Sequence, residues 1–124
     1  MRITKHRGKR EDNGEWVYGA FYPIKDEYVF FIINNCKSID FDDDDTTFNG
    51  HKVHKKSVGE FTGLHDKNGK EVFEGDIFEL GAVEWIDGAF RFKNSNCYMV
   101  IDSHIAHNFE IIGNIFENAE LVKL

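Results

Sequence analysis

Two dipeptides, Asn68-Gly69 and Asp87-Gly88, punctuate the second half of this chain, each set between short runs rich in β-branched and aromatic residues. Both residues of such a pair tolerate positive φ, so each predicts a tight hairpin turn of the primed type. The runs 60–64 (EFTGL) and 71–73 (EVF) flank the first, and 83–86 (VEWI) and 89–92 (AFRF) flank the second. Gly75-Asp76 opens a further run at 77–80 (IFEL), Gly81 makes a tight link, and 94–96 turn the chain before 97–101 (CYMVI). Turns this frequent leave no room for long helices. They predict short antiparallel strands in a small sandwich or barrel.

The first half carries the same signature in a different setting. The runs 16–22 (WVYGAFY) and 27–33 (EYVFFII) are dense in residues that suit a pleated, half-buried surface, and a short turn after Pro23 makes them a hairpin candidate. Residues 37–50 (KSIDFDDDDTTFNG) read as a solvated acidic loop, because adjacent carboxylates resist burial together. A calcium loop starting at Asp42 would need Gly at its sixth position and Glu at its twelfth, where Thr47 and Val53 stand. The run 109–116 (FEIIGNIF) precedes a closing helical turn within 117–124. No linker rich in Pro, Gly or Ser divides the chain. The expectation is one mainly β unit over 1–124, with a β-rich region at 1–57 and a barrel region at 58–124.

Charge sorts the possible partners. The net charge is −7, and it comes in blocks of +5 over 1–10, −8 over 11–50, +3 over 51–70 and −7 over 71–124. A nucleic-acid binder needs a basic face. Only Arg2, Lys5, Arg7, Lys9 and Arg10, together with Lys52, Lys55 and Lys56, supply one, while the net charge opposes it at long range. Among the 18 aromatic residues, Trp16 and Tyr18 lie nearest the N-terminal basic block, and with Arg7, Lys9, Arg10 and Trp85 they form the candidate interaction surface. Most other rings are expected to fill the interior. The longest apolar run, 28–33, has strand length, and no apolar stretch follows the basic N-terminus as in a signal peptide, so a soluble, intracellular chain is expected with no membrane contact. Cys36 and Cys97 are expected as free thiols.

Two groups invite a chemical reading. Glu74 and Asp76, with Asp87, form a candidate acidic cluster for a divalent metal or acid–base work. The simpler reading makes Gly75 a turn and Asp76 an acceptor for backbone N–H groups. His51/His54 and His104/His107 are two His-x-x-His pairs; the second would share a helical face, whereas the first would diverge along a strand. Zinc needs three or four converging ligands, and no sequence neighbour completes either set. No nucleophile elbow, Walker loop or HExxH is present, so no catalytic residue and no cofactor is assigned.

GEWVYG at 14–19, SVGEFTGLHDKNGKEVFEGDIFEL at 57–80, VEWIDGAF at 83–90 and EIIGNIFENAELV at 110–122 together resemble the YopX protein family, encoded by phages and prophages. Ala119 departs from the family's closing motif, which commonly has proline there. The resemblance implies a mostly β fold with an SH3-like barrel in the C-terminal half, in the bacterial host cytoplasm. It implies no activity. The expected function is a non-enzymatic protein-interaction module that binds a host or phage protein or another copy of itself. Nucleic-acid binding through the N-terminal basic segment is the alternative, and a metal-dependent enzyme the second.

Overall fold

The computed structural model describes residues 5–24, 29–33, 50–94 and 98–121. Arg2, Cys36, Cys97 and the acidic stretch 37–49 lie outside the described residues. The described chain is mainly antiparallel β, as the turn spacing predicts, and falls into two compact units, Met1–Val58 and Gly59–Leu124.

In the N-terminal unit, four strands lie in the order β4-β3-β2-β1: β1 (His6–Lys9), β2 (Trp16–Ile24), β3 (Val29–Ile33) and β4 (Gly50–Val53). The expected hairpin is β2–β3, in register from Ala20↔Ile33 to Ile24↔Val29. Pro23 sits inside β2 although proline cannot donate to a ladder. Position explains this: among the described residues β1 pairs only with Trp16–Gly19, so the second half of β2 has a neighbour on one side alone. The basic segment itself forms β1, which its charge did not announce. Gly8 makes that strand possible, since a Cβ there would stand 3.0 Å from the Val53 side chain. Val17, Val53 and Val58 form the small core beneath. The sheet bends back at its ends: Arg10 bridges to Val53, and His54 N–H donates to Lys9 O at 2.9 Å. A 3-10 turn, Lys55–Ser57, follows, and the buried Ser57 hydroxyl accepts Lys9 N–H at 2.8 Å.

In the C-terminal unit, β5 (Gly59–His65) and β6 (Glu71–Phe73) form one hairpin. A five-stranded sheet runs β10-β9-β8-β7-β11, with β7 (Asp76–Phe78), β8 (Gly81–Ile86), β9 (Ala89–Lys93), β10 (Tyr98–Val100) and β11 (Gly113–Asn114). The sheet has two outer strands, β10 and β11, so it is not a closed barrel. One short helix, α1 (Ser103–Asn108), is capped by Asp102, whose carboxylate accepts Ile105 N–H at 2.8 Å. The expected closing turn is a 3-10 turn at Ala119–Leu121.

The core of this unit gathers Val72, Phe78, Val83, Phe92, Ile101 and Ala106, all buried. Phe78 and Phe92 meet edge to face at 5.1 Å. Burying a phenylalanine fully is worth about 2–3 kcal/mol, so these rings dominate the unit's apolar stabilisation. Gly81 carries β8 past β9 at φ +140, where a Cβ would lie 2.5 Å from Lys93 O.

The two turn dipeptides behave differently. Asp87 (φ 50) and Gly88 (φ 81) both adopt positive φ between Ile86 and Ala89, the primed hairpin the sequence predicts. At the other site only Gly69 (φ 79) does so. Gly69 N–H donates to Asp66 O at 3.0 Å and Asp66 N–H to Lys70 O at 2.9 Å, a three-residue loop over 67–69 closed by Asp66 and Lys70. Asp66 decides this, because its Oδ1 accepts the N–H groups of both Asn68 and Lys70 at 2.9 Å.

Candidate interaction surfaces

The polar residues of the most distinctive stretches are spent on the backbone. Buried Asp66 also accepts Ile111 N–H through Oδ2 at 3.1 Å, tying the β5–β6 loop to the segment before β11. Burial alone would raise its carboxyl. The N–H donors of Ile111, Lys70 and Asn68 and the charge of Lys70 outweigh burial and hold it below the usual carboxylate range. Asp76, 1% exposed, accepts Phe73 N–H at 2.8 Å, and Gly75 between them takes φ 96. Asn118 Oδ1 accepts Asn114 N–H at 3.2 Å while Asn118 N–H donates back to Asn114 O at 2.7 Å, covering the outer edge of β11. A Cβ on Gly113 would strike that same Asn118 side chain at 2.7 Å.

The acidic candidates are not drawn together. Glu74 and Asp76 flank Gly75, whose N–H donates to Val83 O at 2.8 Å. Asp87 lies four residues farther along β8 at the exposed hairpin tip, roughly 13 Å away at the rise of a strand. His104 and His107 stand exposed on α1, one turn apart, and His54 is exposed at the end of β4; the His51 side chain lies outside the description. Among the described residues no three of His, Cys, Asp and Glu converge on a point where a metal would sit.

The β1–β2 register does assemble the N-terminal candidates. Arg7 stands opposite Tyr18 and Lys9 opposite Trp16, and alternation places Lys5, Arg7, Lys9, Trp16 and Tyr18 on one face, with Gly8 and Val17 on the other. The Arg7 guanidinium lies over the Trp16 ring at 4.9 Å, and Lys5 Nζ lies 5.9 Å from the Tyr18 ring centre. Arg10 turns away into a two-pronged pair with Asp12 (2.9 and 2.6 Å), and that hydrogen-bonded guanidinium holds the Asp12 carboxyl below its usual range. Lys52 pairs with Glu11 at 3.2 Å.

Large apolar side chains are also exposed on both faces of β8–β10. Trp85 is 52% exposed and packs edge to face on Phe90 at 4.8 Å. On the opposite face Tyr98 and Val100 are 57% and 48% exposed, beside Lys93 and Arg91 of β9. Neither Tyr98 nor Val100 was singled out from the sequence. The period-two pattern of 97–101, with Met99 inward, is the signal that places them outward.

These features define a small, two-unit, all-β protein whose distinctive polar residues brace turns and strand edges. The model for the YopX protein family matches residues 5–123, nearly the whole sequence, and the chain belongs to that family. No curated protein matches. A crystal structure of protein EF1440 from Enterococcus faecalis is similar over 99% of this chain and 100% of its own, at 23% identity and a TM-score of 0.59, a likeness of fold. Among the described residues no helix is long and apolar enough to cross a membrane.

Proposed function

We propose that this chain is a non-enzymatic protein-interaction module, a phage or prophage accessory protein acting in the bacterial cytoplasm. The observation that carries this reading is the exposure of Tyr98 and Val100 on β10, with Trp85 of β8 exposed on the other face of the same sheet. Large aromatic side chains left at the surface of a small domain are the residues that interfaces bury. Arg91 and Lys93 of β9, opposite Val100 and Tyr98, add a polar rim to that face. β10 is moreover an outer strand, where a partner strand has room to approach.

The test is co-purification from infected cells with the tagged chain and its Trp85→Ser/Tyr98→Ser variant, alongside light scattering. A specific protein, or a second copy, recovered with the wild type and lost with the variant supports the module. A monomer that recovers nothing specific overturns it.

A further inference from the structure

The segment 109–121 is joined to the rest of the C-terminal unit almost without burial. None of its residues is buried, whereas every residue of the neighbouring strand β7 is. Phe109 and Ile111 pack against the core only half-buried, and Ile112, Ile115 and Leu121 are left exposed. The attachment is mostly hydrogen bonds. Ile112 N–H donates to Ile77 O and Ile115 N–H to Gly75 O, both at 2.8 Å, on either side of the two-residue strand β11. Lys67 N–H donates to Phe109 O at 2.9 Å, and Ile111 N–H to Asp66 Oδ2 at 3.1 Å.

A segment that buries so little apolar surface opens more easily than the strands it lies against. Its release leaves the ladders from β7 through β10 intact, because β11 pairs with β7 alone at one end of the sheet. Phe78, Val83 and Phe92 keep one another buried on those strands. Two of the four bonds end on the β5–β6 loop, and one of these ends on a carboxylate, the stronger kind of acceptor. Asp66 is therefore placed as the latch. With the segment away, Ile77 O and Gly75 O lose these donors, and β7 becomes an outer strand.

We propose that 109–121 is a detachable strap: it opens as one unit while the β7–β10 sheet stays folded, Asp66 is its latch, and its opening turns β7 into an edge that accepts another extended strand of the same pattern. This edge lies at the far end of the sheet from β10 and is independent of the interaction reading above.

The test is native-state amide hydrogen exchange on the full chain, read by NMR across a series of low urea concentrations. The amides of Ile111, Ile112 and Ile115 are expected to exchange together, about a hundredfold or more faster than the protected amides of 83–92. Their exchange should respond only weakly to urea, since opening the strap exposes little surface. The Lys67 amide lies outside the strap but bonds to Phe109 O, so it should share their rate; a fraying tail would not carry it along. Exchange of these four amides in step with the sheet, or each at a rate of its own, would overturn the strap. Binding of a labelled synthetic peptide of residues 109–121 tests the bared edge. Ile111→Pro removes the N–H that Asp66 accepts, so the variant should bind the peptide about tenfold or more tighter than wild type does. Equal binding to the two chains, or none to a folded Ile111→Pro chain, would overturn the edge; if that variant does not fold, the wild-type exchange pattern decides. Neither readout involves Trp85 or Tyr98, so this outcome and that of the interaction reading are separable.

Discussion

Replacing Asp66 by Asn is the sharpest probe of how the C-terminal unit holds together. The carboxylate accepts two loop N–H groups on Oδ1 and the Ile111 N–H on Oδ2. An amide of the same shape keeps one acceptor oxygen and turns an NH₂ toward a donor. If the oxygen stays on the loop, Ile111 N–H faces a second N–H; if it flips, the loop loses both of its bonds. Hydrogen bonds to a charged group contribute about 1.5–3 kcal/mol, so losing one of them, with its donor stranded, should cost about 2–3 kcal/mol at pH 7. The pH dependence adds an independent check. The folded carboxyl sits below its unfolded value, so the stabilisation from its charge is fully present above the unfolded value, near pH 4, and is lost as pH falls through the folded value. Wild type and Asp66→Asn should therefore differ by a constant amount at neutral pH and converge below about pH 4. Urea denaturation followed by amide NMR signals from 59–121 reads both quantities. A variant as stable as wild type at pH 7, or a difference unchanged down to pH 2, would refute the reasoning.

Three further outcomes follow from the same geometry. Gly81→Ala, with its Cβ placed 2.5 Å from Lys93 O at φ +140, should unfold the unit or destabilise it by about 3 kcal/mol, whereas Gly63→Ala, at φ +85 with open space around it, should cost only about 1 kcal/mol; thermal denaturation compares them. Asp102→Ala removes the cap of α1 and should cost about 1 kcal/mol, read as a fall in Tm of a few degrees, with Asn in its place largely restoring it. Asp12 should titrate below the ordinary aspartate range and return to it in Arg10→Gln, followed by carboxyl NMR.

Much of the fold was written locally. Asp87-Gly88 specifies its own turn, because both positive φ angles and the side chains that tolerate them belong to adjacent residues. The β2–β3 hairpin, the cap at Asp102 and the buried rings of 73–92 are likewise short-range or periodic signals. Asn68-Gly69 shows where such reading stops. The dipeptide alone predicts one turn, and the bonds that Asp66 makes to the backbone choose another. The same limit applies to the surfaces. The basic block was visible as charge, but which of its residues share a face with Trp16 and Tyr18 depended on β1 forming at all, which in turn required Gly8 to admit Val53.

What the residues settled unaided is the β character, the turn positions and the family, since each depends on neighbours along the chain. Tertiary structure alone decided that Asp66 reaches across 45 residues to Ile111, that Asn118 folds back on β11, and that the sheet of the C-terminal unit keeps two outer strands. The physical reason is range. A turn is determined by the φ angles of two or three residues, whereas a hydrogen bond between distant segments exists only after the strands that carry them have packed.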